Sequence, residues 1–495
     1  MASAVPSSQL STPLPAEGVS RSRLPGWRLE ALRTTLWLVP TLCIVAAVVL
    51  FAVTYNLDEA VYRGTLHLPW WIRTGTADEG RAVLIGIAAA VITVVGVVFS
   101  ITILALTLAS QQFGPRMLRT FIRDVGTQLT LGIFVASFVY AVLALGSITN
   151  GGHGQFVPHI GITVSELMML VDIAVLIYFI HHVAVTIQLP EVIARVARDL
   201  GRAIDESFPG SVSEDRSATK EPVQGPSAAQ LATLLEEEGL TVPATRSGYL
   251  QFVGYGQLMS IAESTDTVIR LAHRPGHFVV AGRPLASVWP AARAGEVASS
   301  LAQAHITGPQ RTLAQDPVFP IDQLAEIAIR ALSPAVNDTF TALTCIDWLA
   351  DGLCTISVRH LAEGVYLDRH GRIRLMEFDQ SYARMVNRAF DKIRQAARGM
   401  PAVLIRLMNG LAQVTEYTTG PEQRQVLRRQ AEMIVRAADE TIPDPEDKAD
   451  VHSRHDWMLV VAGRLDSGLG SPRSRQPAKP ARGQSRRLLL GRARS

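Results

Sequence analysis

Apolar positions are spread unevenly along this chain. Before Leu189 they crowd into four long runs, 36–54, 83–108, 125–145 and 164–187. Beyond it they recur at the spacings of single helix or strand faces. A helix needs about 20 mostly apolar residues to cross the hydrocarbon core of a bilayer. All four runs meet or approach that length; the third is the shortest and recruits residues 125–128 at the interface. The pattern predicts a four-helix transmembrane domain over 27–189, after a Ser/Pro-rich segment 1–26 expected to be disordered. The first run starts only at Leu36. A cleavable signal peptide carries its apolar region nearer the start, and only about 7–15 residues of it. This run is therefore expected to remain in the membrane.

Charge orients the bundle, because Lys and Arg mark the cytoplasmic ends of short loops. Arg21, Arg23, Arg28 and Arg33 precede the first span. Arg116, Arg119 and Arg123 join the second to the third, and Arg195, Arg198 and Arg202 follow the fourth. The 147–163 loop has no Lys or Arg. The loop between the first two spans balances Arg63, Arg73 and Arg81 with Asp58, Glu59, Asp78 and Glu79. Both termini are expected in the cytoplasm. Tyr55, Tyr62, Trp70 and Trp71 suit an aromatic belt at the outer interface.

Polar residues inside the spans supply the candidate chemistry. In the second span Gly86, Thr93, Ser100 and Thr107 recur every seven residues and share one stripe, widened by Gly96 and Gln111. Close helix packing in lipid is the first account of such a stripe, and a water-lined pore is the second. The pattern runs on to Gln112 before Phe113-Gly114-Pro115 stops it, so this helix is expected to project into the cytoplasm. In the third span Gly132, Ala136, Tyr140 and Ala144 again stand at packing spacing. The fourth span carries Asp172. A carboxylate at that depth costs roughly 2.5–3.5 kcal/mol on insertion scales and so faces protein or water. Two readings stay open. Asp172 is either a neutral structural acid bonded to a neighbouring hydroxyl, for instance one from the second span, or a station on an ion or proton path. Asp172, Thr93, Ser100, Thr107 and Gln111 together form the candidate intramembrane polar path. His181 and His182 read as interfacial, with pH sensing the weaker alternative.

Pro190 ends the fourth span. A basic helix at 191–206 is expected to lie along the membrane surface, and a Ser/Pro-rich linker completes the connection 190–226. Residues 227–463 predict a cytoplasmic α+β domain. Its first part alternates short β-branched runs, clearest at 267–273, with glycine turns, and 275–285 suggests a small β-barrel-like module. Residues 321–332 and 343–353 carry helical apolar stripes. Between them Ser333, Asn337 and Asp338 form a candidate junction motif. Pro334 breaks the first helix, and Asn337, Asp338 or Thr339 can cap the second. A capped helix start can hold an anion, but capping is the expected role. Asp368-Arg369-His370-Gly371 predicts a hairpin. Residues 380–463 read as helical, with breaks at 400–401, 420–421 and 443–445. The fold class is thus an α-helical integral membrane protein with four transmembrane helices, a cytoplasmic α+β domain and a helical C-terminal part.

The tail 464–495 is expected to be disordered and basic. After Gly470 it holds eight Arg and Lys and no acid, against a net charge of +3 for the whole chain. Anionic lipid attracts such a tail by about 1 kcal/mol per charge near the surface. Nucleic acid would attract it too, but a membrane anchor in the same chain makes lipid, or solubility alone, the expected account.

No GxxxxGK[ST], HExxH, GxSxG or Rossmann glycine pattern occurs. Cys43, Cys345 and Cys354, with no CxxC, make neither a disulfide framework nor a zinc site, and are expected to be free thiols in a reducing compartment. His452 and His455 form an HxxH without further ligands. No metal, cofactor or enzymatic centre is expected.

Three segments carry a family resemblance: Gln111-Gln112-Phe113-Gly114-Pro115-Arg116, the run 316–324 (Asp316-Pro317-Val318-Phe319-Pro320-Ile321-Asp322-Gln323-Leu324), and the run 331–342 around Ser333-Pro334-Ala335-Val336-Asn337-Asp338. With them the chain resembles the bacterial membrane proteins grouped as domain of unknown function 2254, over roughly residues 30–440. The family has Pro after the Asn-Asp pair, where this chain has Thr339, and glycine in place of Pro320. The resemblance implies a bacterial inner-membrane protein and supplies no activity. The leading expectation is a homo-oligomeric channel or transporter-like protein with a cytoplasmic regulatory domain. The alternative is a non-conducting, membrane-tethered scaffold or sensor that works through its cytoplasmic domain.

Overall fold

The computed structural model describes residues 38–66, 75–113, 124–151, 154–208, 225–359, 364–377 and 381–467. The segment 1–26, Trp70, Trp71, the arginines between the second and third spans, and the basic tail after residue 467 lie outside them.

Among the described residues four helices are long and apolar enough to cross a membrane. They are α1 (Leu38–Tyr62), α2 (Ala77–Phe113), α3 (Val125–Ser147) and α4 (His159–Thr186). Each is longer than its apolar run because polar residues finish its ends. Asp78 and Glu79 occupy the first turn of α2, where a carboxylate complements the helix dipole. Asp124 caps α3 by accepting the Thr127 N–H. The centre of the bundle is α3, which packs on α1, α2 and α4. Gly132 lets α1 in: a Cβ there would lie 2.9 Å from Cys43 Sγ and 3.2 Å from the Pro40 backbone. The other three helices turn Leu42, Val49, Ile92, Leu104, Leu170 and Ile177 outward, as lipid-facing surfaces require. Strands β1 (Thr149–Gly151) and β2 (Gly154–Phe156) form an antiparallel hairpin between α3 and α4. Three-residue strands leave no alternating signature, so this hairpin is not legible in the sequence.

The helix expected along the membrane surface is present, but protein covers its apolar face. Helix α5 (Leu189–Ser207) turns Val192, Ile193, Val196, Leu200 and Ile204 into the largest core of the protein. It shares that core with α9 (Val318–Ala331), α10 (Thr339–Ser357), α11 (Tyr382–Ala396), α12 (Pro401–Thr415), α13 (Pro421–Thr441) and α14 (Pro445–Asp466). Its arginines face away: Arg198 pairs with Glu191 at 2.8 Å, and Arg202 with Asp199. Helical spacing identifies an apolar face without saying whether lipid or protein covers it. Gly352 of α10 decides the matter locally, because a Cβ there would lie 2.5 Å from Leu200 Cδ2. The expected breaks are present, with Pro401, Pro421 and Pro445 each opening the next helix, where proline loses no hydrogen bond. Cys43, Cys345 and Cys354 are free thiols, and burial pushes the Cys345 thiol up to about 12.

The β-rich part corrects a second expectation. After α6 (Ala228–Glu237) come β3 (Leu240–Pro243), β4 (Gly248–Val253), α7 (Tyr255–Ser264), β5 (Val268–Leu271), β6 (Phe278–Val279), β7 (Pro284–Trp289), α8 (Ala294–Leu301) and β8 (His305–Gly308). Far along the chain, β9 (Val365–Leu367) and β10 (Ile373–Met376) form the predicted hairpin. The strands make two open sheets, ordered β3-β7-β5-β10-β9 and β6-β4-β8. No barrel closes among the described residues. The strands are too short to wrap around, and β10 instead joins β5 in parallel. The hairpin thus completes a sheet begun about a hundred residues earlier, and Leu375 enters its core beside Ile269 and Val288.

Candidate functional site

Helix α4 meets α1 and α3 along a seam with polar groups at three levels. At the first, Asp58 of α1 crosses to the start of α4. The Ile160 N–H donates to Asp58 Oδ1 at 2.8 Å and the Gly161 N–H to Oδ2 at 2.9 Å. The first N–H groups of a helix have no partner within it, so a carboxylate from another helix does the capping here. Beside it, Thr54 Oγ1 and Tyr140 OH are 2.8 Å apart and buried. Asp58→Ala is expected to lower stability by about 1–3 kcal/mol for each donor left unsatisfied, measured as thermal unfolding of the detergent-solubilised protein.

At the second level stands Asp172, 4% exposed. Ser137 Oγ of α3 donates to its Oδ1 at 3.0 Å. Its Oδ2 is buried and has no hydrogen-bond partner among the described residues, and neither has Ser165 Oγ, two turns earlier on the same face of α4. The hydroxyl that meets Asp172 therefore comes from the third span, not the second.

At the third level, His182 Nε2 lies 2.6 Å from Asp124 Oδ2, and Tyr178 stacks on the imidazole at 5.4 Å. Asp124 also takes the Thr127 N–H and hydroxyl, both at 2.9 Å. Gly126 makes room for the ring, since a Cβ there would lie 2.7 Å from His182 Nε2. From Gly161 to His182 is about 31 Å along a helix rising 1.5 Å per residue, close to the roughly 30 Å of a hydrocarbon core. Asp172 sits near the middle.

The rest of the candidate path is elsewhere. Thr93, Ser100 and Thr107 are exposed and donate to the carbonyls of Ala89, Gly96 and Ile103, each one turn back on α2. Leu84, Ile87, Val91 and Val98 face the bundle instead. The stripe and Asp172 thus belong to different surfaces of the chain. Gln111 lies in the last turns of α2, with its side chain outside the described residues.

Outside the bundle, the junction is built by its own backbone. Ser333 Oγ donates to Arg330 O at 2.7 Å, Asn337 adopts φ +51°, and Asp338 caps α10 by accepting the Thr341 N–H at 3.1 Å. Asparagine tolerates that left-handed conformation better than most residues. Nearby, Arg311 spans two carboxylates of the run 316–324. It reaches Asp316 at 2.7 Å and also Asp322, which in turn holds Arg388 of α11 at 2.7 Å. Burial pushes the Asp316 carboxyl above its usual range, although Arg311 pulls against that. The Gly276 turn, φ +89°, sits directly on Asp316, so this network ties the sheets to the helical core.

A family profile described as a predicted membrane protein, DUF2254, matches residues 33–413. The chain belongs to the DUF2254 family. An uncharacterized protein of Mycobacterium tuberculosis and one of Mycobacterium bovis are each 33% identical to it over 466 residues, covering 92% of this chain and 85% of the relative. No solved structure matches. Two of the segments that carried the DUF2254 resemblance now have physical roles: 316–324 clamps Arg311, and 331–342 ties off the junction. Sequence reasoning missed Asp58 and Asp124 as members of the seam, because both stand at span ends where carboxylates are ordinary. It also missed Arg311, whose partners are named by no spacing rule.

Proposed function

We propose that this DUF2254 protein carries protons across the bacterial inner membrane along the α1–α3–α4 seam, as a transporter-like protein rather than an open pore. Asp172 carries the reading. It is a buried carboxylate with one oxygen on Ser137 and the other unpartnered, midway between Asp58 and the Asp124–His182 pair. An acid kept at such depth is by default functional. Each gap along α4 is about 15 Å, too far for one proton hop. Transfer therefore needs helix movement or entering water, which favours gated transport. The arginine distribution supports cytoplasmic termini and a cytoplasmic C-terminal domain, and a basic tail there would rest on anionic lipid. The outward stripe of α2, with open space beside Gly86 and Gly96, suits packing against a second copy and hence a homo-oligomer.

The test is proton flux into proteoliposomes under an imposed potassium-diffusion potential. The unsubstituted protein is expected to acidify the lumen, Asp172→Glu to retain part of the rate, and Asp172→Asn to fall to that of protein-free liposomes. Equal, background rates for all three would sink the transport reading.

A second reading, a non-conducting sensor or scaffold, is favoured by one observation. Only Ile187 and Gln188 separate α4 from α5, and α5 is seated in the core of the C-terminal domain. A change at Asp172 would then reach the domain directly. Hydrogen exchange in α5 and α10 that differs between Asp172→Asn and the unsubstituted protein, without flux, is its expected signature.

A further inference from the structure

We infer that the junction between α9 and α10 docks on the membrane surface, with Val336 and Phe340 entering the interfacial lipid beside the end of α4. Phe340 is 82% exposed, more than any outward Leu or Ile of the bundle, and Val336 is 54% exposed. Pro334 and Ala335 are exposed as well, so an apolar tip faces outward. Asn337 is exposed beside them, but backbone N–H groups of the tip and the Asp338 carboxylate are taken up within the chain. The Asn337 N–H donates to Ser333 O at 2.9 Å and the Asp338 N–H to Ala331 O at 2.8 Å, while the Asp338 carboxylate is taken up in the cap. Backbone groups satisfied within the chain are what an apolar environment demands.

Position names the occupant. Helix α10 runs beside α5 in the same direction: Gly352 lies against Leu200 and Ile204, and further on Arg359 pairs with Asp205 at 2.6 Å. Counting back from that contact, Phe340 is about 18 Å before Gly352, and Leu189 about 17 Å before Leu200. Phe340 is therefore level with Leu189, where α5 leaves the end of a candidate span. The other arm of the junction also stays near the bundle, because α9 touches the spanning helix α2. The bilayer surface that begins where α4 ends continues across this tip. Aromatic residues favour that layer, and the partner is the lipid interface itself.

The test uses the full chain in nanodiscs, with Phe340→Cys carrying an environment-sensitive nitrobenzoxadiazole probe. Cys345 and Cys354 are buried and Cys43 lies in α1, so the unsubstituted protein labelled in parallel provides the blank. Blue-shifted emission, quenched by lipids with a nitroxide near the headgroup and shielded from iodide, is expected. Val336→Cys should behave alike, and Trp348→Cys, two turns further along α10, should report water. Water-like emission at both 336 and 340 would overturn the proposal. So would blue-shifted emission that lipid nitroxides do not quench, because protein, such as a second copy, would then cover the tip. Agreement between the two labelled positions guards against a variant that is merely misfolded.

Discussion

Arg311→Ala is expected to lower the stability of the folded protein by about 3–5 kcal/mol, the usual cost of removing one partner from a buried charge cluster. Arg311 holds Asp316 through both Nε and Nη2, at 2.9 and 2.7 Å, and also holds Asp322, with the Phe319 ring 5.1 Å beneath the guanidinium. Asp322 would keep Arg388. Asp316, 3% exposed, would keep no cation among these. Burial already raises its carboxyl above the ordinary range, and Arg311 is the main influence lowering it. Without Arg311 the carboxyl rises further. Below about pH 4, the ordinary range for aspartate, folded and unfolded chains both hold the proton and the burial of charge adds no penalty. As pH climbs toward the raised folded value, the unfolded chain ionises more readily and gains. The variant is therefore expected to lose more stability at pH 8 than at pH 5, as read from denaturant midpoints. Arg311→Lys should recover only part, because an ammonium cannot fork across two carboxylates. A loss that does not vary with pH would mean that Asp316 is not the group left stranded.

Leu200→Ala is expected to cost about 2–5 kcal/mol, the range for emptying a buried leucine site. Leu200 occupies the space that the missing side chain of Gly352 leaves open. Adding Gly352→Ala to Leu200→Ala should restore part of the loss, although Gly352→Ala alone is expected to destabilise. A double-mutant cycle reads this as coupling of opposite sign to the single effects. Additive effects would mean that α5 and α10 do not meet as described, and the level of Phe340 with Leu189 would lose its ruler.

What the sequence disclosed follows from the reach of its signals. The four spans and the proline-marked helix breaks were legible because each is a local pattern, a long apolar run or a residue without an N–H. The hairpin at 365–376 was legible for the same reason, but its place beside β5 was not, because parallel pairing leaves no mark at either strand. The apolar face of α5 was visible, and only Gly352, some 150 residues on, reveals what covers it. Within the seam, Asp172 was conspicuous for its surroundings in the chain. Its partner Ser137 was one hydroxyl among several, and the stripe on α2 drew attention through regularity, which lipid-facing helices can show as readily as buried ones.

The C-terminal domain is attached to the bundle twice, by α5 continuing from α4 and by α9 resting on α2. Since α5 and α9 share one core, that core behaves as a single block on two struts. A block so mounted has few degrees of freedom: it cannot swivel on one helix without dragging the other. Any sliding of α4 past α2 must therefore reappear as a tilt of the whole block, a leverage that would turn a shift of an ångström in the bilayer into a larger sweep at the far end of the domain.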